Sequence, residues 1–199
     1  MTEITPAQNS ARERVLQTAE RLFSERGYAA VTLRDIADEL GIRQASLYYH
    51  APGGKEELFV QVTERGLERH RQGLEKAIVE ADINLREQLR AAARWLLSQP
   101  SINYGRMLQS DMPAISPKEA ERLRMSAFAS LIAPLHKVFQ AGLPPDSVAA
   151  GKSVHLAGAF LSVIEGVHNL PDHFLNSESK ESMADFLIDT WLEGLGGSR

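Results

Sequence analysis

Residues 32–55, TLRDIADELGIRQASLYYHAPGGK, decide how this chain folds. Thr32 stands three residues before Asp35, a T-x-x-D box in which the hydroxyl accepts the Asp35 N–H and the carboxylate reaches back. Ile36, Ala37 and Leu40 then share one face at helical spacing. Gly41 follows at once, where a left-handed residue stops a helix without Cβ strain. The chain restarts two or three residues later with Leu47 as the apolar anchor of a second short helix, and Ala37 is small where the two helices should cross. Helix, glycine turn and helix at this length is the helix-turn-helix layout.

In that layout the second helix lies in the DNA major groove, so its outward side chains matter most. Arg43, Gln44, Ala45 and Ser46 stand at its N-terminal end, where base edges are read; Gln suits adenine, Arg guanine and Ala a thymine methyl. Tyr48, Tyr49 and His50 follow, with Lys55 at the start of the next helix. Hydroxyls, a ring N–H, an ammonium and free helical N–H groups are all phosphate partners. A plain helical hairpin with half-buried tyrosines is the competing reading. The coincidence of capping box, glycine turn and LYYH in one window speaks against it.

Residues 12–60 carry A-x-x-L-F-x-x-x-G-Y, then T-x-x-x-I-A-x-x-x-G, then S-L-Y-Y-H followed by K-E-E-L. With these motifs the stretch resembles the DNA-binding domain of the tetracycline-repressor (TetR) family of bacterial transcription regulators. The resemblance covers about a quarter of the chain. It implies an all-helical homodimer whose larger C-terminal part binds a small molecule and releases DNA. It also implies phosphate contacts for Thr32, Tyr49, His50 and Lys55, and places facing the bases for Gln44, Ala45 and Tyr48. Three positions depart from the family pattern. Arg43 stands where Ser or Thr usually caps, Ala51 replaces a usual aromatic, and the Pro52-Gly53-Gly54 turn is one residue longer than the commonest form.

Composition narrows the classes. The 199 residues suffice for one large or two small domains, and 43% apolar with 24% charged residues is ordinary for a globular protein. Without cysteine there is no disulfide, thiolate metal site or Cys nucleophile, which fits a reducing cytoplasm. The start, MTEITPAQNS, has neither the basic region nor the apolar run of a signal peptide, and the apolar tract around 154–164 is too short to span a bilayer. A cytoplasmic protein without membrane contact is expected. The net charge is −4, and over 11–60 seven Lys/Arg face eight acids. A non-specific DNA binder should show a basic stripe. A specific dimer works instead through a few placed donors and helix N-termini, so limited salt dependence is expected.

The rest of the chain reads as helix throughout, and the fold class is all-α. An N-terminal three-helix helix-turn-helix domain (1–54) is joined by a connecting helix to a C-terminal helical effector-binding and dimerisation domain (55–199). Residues 1–9 are expected as a mobile arm, with Ser10-Ala11-Arg12-Glu13 capping helix 1 and Val15, Leu16, Ala19, Leu22 and Phe23 as its apolar stripe. After Lys55, Glu56 and Glu57 favour the positive end of a long helix with Leu58, Phe59, Val62, Leu67, Leu74 and Ile78 on its apolar side. Asn84 caps the next helix, which Pro100 ends; 111–117 reads as loop. Ser116-Pro117 starts a helix through Leu123, Phe128, Leu131, Leu135, Val138 and Phe139 to Gly142. Pro144-Pro145-Asp146 opens another, about 147–169, and the last runs from about Ser179 to Gly194 with Phe186, Leu187, Thr190 and Trp191 on one side.

Segment 148–167 is apolar nearly all round and lined with Ala157, Gly158, Ala159, Ser162 and Gly166, so it needs burial on every side. A central helix in a monomer satisfies that, and so does a two-fold interface with the final helix; the family resemblance favours the homodimer. Effector candidates are Trp95, Tyr104, Met107, Met112, Met125, Phe128, His155, Phe160 and His168, the large or polar-tipped groups of the middle helices. Each taken singly reads equally as core. Glu165 and His168 have E-x-x-H spacing, but a carboxylate-bridged metal bundle needs a second copy, and none is present. The expectation is no cofactor, no metal, no enzymatic activity, and three partners: an operator in double-stranded DNA, a small-molecule effector and a second copy of the chain. A DNA-binding or protein-partner regulator without an effector is the alternative.

Overall fold

The computed structural model describes residues 6–175 and 177–196, and among these there is no strand. The helices are α1 (Pro6–Arg26), α2 (Leu33–Leu40), α3 (Gln44–His50), α4 (Gly54–Glu80), α5 (Leu85–Ser98), the short α6 (Tyr104–Arg106), α7 (Pro117–Ala127), α8 (Ala133–Gly142), α9 (Ser153–His168) and α10 (Lys180–Gly196). A π-turn Met107–Asp111 and a 3-10 turn Met112–Ala114 continue α6, and a π-turn Phe128–Ile132 joins α7 to α8. No helix among the described residues is long and apolar enough to cross a membrane. The chain forms two compact units. The first holds residues up to Gly66 with Gly105–Met125; the second holds Leu67–Tyr104 with the chain from Ser126. These units divide the chain elsewhere than the functional boundary expected at 54/55.

The first unit is built round α1. Val15, Ala19, Leu22 and Phe23 are buried as the stripe requires, against Val31, Ile36, Leu47, Leu58 and Phe59. Helix α1 starts earlier than its capping box suggested: it begins at Pro6, so Ser10 lies inside the helix and residues 6–9 are helical. Proline at the first helical position has its φ already set and gives up only an N–H that needs no partner. The remainder of the expected arm, 1–5, lies outside the described residues.

Asp111, expected in a loop, is buried here. It accepts the Tyr28 N–H at 2.7 Å and pairs with Arg106 at 3.4 Å, while Arg106 Nη2 donates to the Phe23 and Ser24 carbonyls at the end of α1. The Ser24 carbonyl is one that a helix leaves open at its C-terminus, while the Phe23 carbonyl also accepts the Gly27 N–H at 2.9 Å. Ser116 N–H and Oγ–H both donate to Glu56 at the start of α4.

In the second unit α5 packs between α8, α9 and α10. Asn84 Oδ1 caps α5 by accepting the Glu87 N–H at 2.9 Å, and Leu89, Ala92, Ala93 and Leu96 are its buried face. Arg90 spans to Asp189 on α10 at 2.9 Å. Phe128 is not on the inner stripe and is 46% exposed; Ala127 takes the inward place, because the π-turn spends an extra residue and shifts the register before Leu131 and Leu135. The helix expected from 147 begins only at Ser153. Ser147 holds the Ala150 N–H through both its carbonyl and its hydroxyl at 3.1 Å, a local turn that competes with helix.

Trp95 lies flat against α4 at Gly73, where an added Cβ would fall 2.0 Å from Cζ2 of the ring. Alanine favours helix by about 1 kcal/mol over glycine, yet overpacking of this kind costs about 1–3 kcal/mol. Gly73→Ala is therefore expected to lower stability in a urea melt, whereas Gly194→Ala, with open space around it, should not.

Candidate nucleic-acid interface

Thr32 closes a reciprocal capping box. Its Oγ1 accepts the Asp35 N–H at 3.1 Å, and Asp35 Oδ2 accepts the Thr32 N–H at 2.7 Å and the hydroxyl proton at 2.6 Å. These bonds, first the one from the Thr32 side chain, hold the Asp35 carboxyl below its ordinary pKa. Helix α2 ends at Gly41 in the left-handed region, φ 66°, and the chain enters α3 three residues on, at Gln44.

Leu47 is the one buried side chain of α3, 1% exposed. Around it Arg43, Gln44, Ala45, Ser46, Tyr48 and Tyr49 all face outward, Tyr49 being 71% exposed, and His50 is half-buried with its ring edge against Tyr49 at 5.4 Å. Arg43 occupies the N-cap without a side-chain capping bond and makes no ion pair among the described residues. The N-terminal N–H groups of α3 therefore have no side-chain acceptor at their head. Ala51 is fully buried, its N–H on the Leu47 carbonyl at 2.8 Å and its carbonyl taking the Gly54 N–H at 2.9 Å. Its small side chain fits where a bulkier one is usual.

Lys55 is placed by an aromatic cluster. Its Nζ stands 4.1 Å from the centroid of Tyr28, and Tyr28 in turn meets Phe59 at 4.9 Å and Phe23 at 6.2 Å. Burial lowers the Lys55 pKa and the nearby Asp35 opposes it. Several other cations of this unit are paired with acids: Arg21 with Glu39 and Glu25, Arg34 with Asp38, Arg65 with Glu13. The outward face of α3 thus offers amide, hydroxyl, phenol and imidazole groups with one guanidinium. Such a face suits base edges and phosphates at defined points better than a diffuse polyanion.

The effector candidates scatter. Met107 and Met112 are core of the first unit and Met125 is exposed on it. In the second unit Phe128 and His155 face outward, and Phe160 is core against Phe139. Tyr104 is half-buried, with its hydroxyl pKa raised by burial and then by Glu165. Only His168 of the nine lines the cavity found in that unit, together with His70, Ser101, Glu165, Leu96 and Ile164. His70 was missed by pattern reading. Its signal was present: a histidine on the apolar side of α4, between Leu67 and Leu74. The cavity holds about 10 Å³, space for one water. No cluster of three or more metal-ligating side chains occurs among the described residues.

Comparison with known proteins bears on the same segment. Residues 15–62 match the family model for bacterial regulatory proteins of the tetR family. The HTH-type transcriptional regulator LmrA of Bacillus subtilis is 44% identical over 62 residues, which are 31% of this chain and 33% of that protein. The HTH-type transcriptional repressor KstR2 of Mycolicibacterium smegmatis is 49% identical over 51 residues, 25% of each chain. The chain thus spans a third or less of the length of these curated relatives. The crystal structure of a TetR transcriptional regulator from Legionella pneumophila has the same fold, with a TM-score of 0.70 at 24% identity over 96% of this chain and 99% of that one.

Proposed function

Because the chain belongs to the tetR family of bacterial regulatory proteins, we propose that it is a cytoplasmic, sequence-specific DNA-binding repressor acting as a homodimer, released from a palindromic operator by a small effector. The observation that carries this reading is the outward face of α3. Six side chains able to meet bases or phosphates surround a single buried leucine, on a helix fixed by a capped α2 and a left-handed Gly41. In the proposed complex Arg43, Gln44, Ala45, Ser46 and Tyr48 face base edges, while Thr32, Tyr49, His50 and Lys55 lie along the backbone. The hydroxyl proton of Thr32 is held by Asp35, so Thr32 acts chiefly by presenting the start of α2.

The proposed dimer uses α9 and α10. His155, Ala159, Ser162 and Gly166 form an exposed row on α9, and Phe186 and Thr190 are exposed on α10, Phe186 by 62%. The hydroxyls on both faces turn back to their own helices, Ser162 to the Gly158 carbonyl at 3.0 Å and Thr190 to the Phe186 carbonyl at 2.9 Å. Apart from His155, what points outward in these rows is small or apolar, as a helix–helix contact requires. A two-fold pair would hold two copies of α3 for successive major grooves about 34 Å apart.

Selection of bound duplexes from random DNA tests the reading: a palindrome with half-sites one turn apart is expected, and enrichment of no sequence would overturn it. On the selected operator, Gln44→Ala should relax preference at one base pair by about 1–3 kcal/mol. Tyr49→Phe and Lys55→Ala should instead weaken binding alike across operator variants. A Gln44→Ala variant that loses affinity uniformly would remove its base-reading role. The small volume of the cavity, about 10 Å³, favours a second reading, a regulator with no effector.

A further inference from the structure

The acids closest to Lys55 in the chain are turned to other partners. Glu56 accepts the Ser116 N–H at 3.3 Å and its hydroxyl proton, and Glu57 accepts the Gly53 N–H and, at 3.0 Å, the Gln61 amide. Asp35, whose charge reaches Lys55, is bonded to the Thr32 N–H at 2.7 Å and to its hydroxyl at 2.6 Å. The Lys55 ammonium makes no ion pair or hydrogen bond among the described residues; it meets the face of Tyr28, 4.1 Å from the ring centroid. A cation within about 6 Å of an aromatic centroid is drawn to the negative face of the ring.

The ring itself is held from several sides. Phe23 stacks on it at 6.2 Å and Phe59 tilts against it at 4.9 Å. Gly27, just before it, has φ 81°, and a Cβ there would lie 3.1 Å from Asp111 Oδ1. That same oxygen accepts the Tyr28 N–H at 2.7 Å, and Asp111 is buried. The end of α1, the start of α4 and Asp111, all in the first unit, therefore set one place for the ring. Burial, and then Glu56, raise the pKa of the Tyr28 phenol, so the lysine is drawn to a neutral ring and not to a phenolate.

We propose that Tyr28 is a positioning residue of the DNA interface: its ring face holds the Lys55 ammonium in one place before and during contact with a backbone phosphate, so that Tyr28 adds to operator affinity without touching DNA. The proposal rests on the DNA-binding reading above and adds a residue to it. An ammonium has three N–H donors. One aimed at the ring leaves two for phosphate oxygens. A lysine stem loses rotamer freedom when it is fixed at one phosphate, and a stem already restrained loses less. The competing role for Tyr28 is plain core, with the lysine stem covering it. In that case its loss would weaken the first unit whether or not residue 55 carried an amine.

A double-mutant cycle on the full-length protein and its selected operator separates the two roles. Tyr28→Leu keeps apolar bulk but has no π face, and should lower affinity about threefold to thirtyfold. Lys55→Ala should lower affinity and reduce the slope of log affinity against log salt by about one. In the Lys55→Ala background, adding Tyr28→Leu should cost no further affinity. Tyr28→Phe retains the ring and should bind as the parent does. An equal cost of Tyr28→Leu with and without the amine, or no cost from Lys55→Ala, overturns the proposal. Should Tyr28→Leu fold poorly, proton NMR of the parent protein decides. The Lys55 Hε resonance, assigned by its loss in Lys55→Ala, should be shifted upfield by the ring and stay so with operator bound. An unshifted resonance in the protein alone, or loss of the shift on binding, overturns the proposal as well. A protein that selects no duplex removes the regulator and the phosphate contact together. Operator binding in which Tyr28 and Lys55 are uncoupled removes the positioning role alone.

Discussion

Leu47→Ala is expected to cost about 2–5 kcal/mol of stability and to abolish operator binding. The magnitude follows from burial: Leu47 is 1% exposed and is the one buried side chain of α3. A helix of seven residues cannot hold itself together in water, since nucleation is costly and each further residue adds one hydrogen bond. Nor does its N-terminus help, because Arg43 supplies no capping bond. The truncation therefore removes what keeps Gln44, Tyr48 and Tyr49 on one face, even while α1 and α4 remain packed. Urea melts give the stability loss. Amide exchange should show α3 opening before α1, because low local contact density lets a segment unfold on its own. Tyr48→Ala is the control: it removes an exposed ring, so binding should suffer and stability should hold. A Leu47→Ala protein that still binds operator would sink the assignment of α3 as the reading helix.

The parts legible in the sequence were those fixed by neighbours. Thr32, Asp35 and Gly41 set their helix ends through residues three to nine positions apart, and Asn84 does the same for α5. Such signals depend little on the rest of the fold. Helix α1 was misjudged at its start because two local signals competed, a proline suited to the first turn and a serine suited to the cap, and pattern alone does not rank them. The burial of Asp111 was illegible for another reason. Its partner Tyr28 lies 83 residues away, so nothing near Asp111 marks it as other than loop. The same holds for the cavity, whose polar members His70, Ser101, Glu165 and His168 come from separate parts of the chain. Phe128 was misplaced because a π-turn breaks the helical period on which the stripe argument stands. The outward face of α3 was readable because its exposure follows from one leucine among polar neighbours.

Ala159→Arg is expected to turn the protein monomeric and to lower apparent operator affinity by about 10²–10⁴-fold. Ala159 is exposed on α9 in the row of His155, Ser162 and Gly166, so the protomer itself accommodates the longer side chain in solvent. Across a two-fold axis the same row meets its own copy, and two guanidinium groups would then face each other where small residues allow close approach. Repulsion and lost packing act together there, and neither has a counterpart in the free protomer. The affinity loss follows from valency: one reading head binds its half-site alone, while a dimer binds the second half-site at the high effective concentration set by its partner. Sedimentation velocity reports the assembly, and titration of the selected operator reports the affinity. Ala159→Ser preserves size and should remain dimeric with unchanged affinity. If Ala159→Arg sediments as a dimer, the interface lies elsewhere, and the exposed rows on α9 and α10 need another occupant.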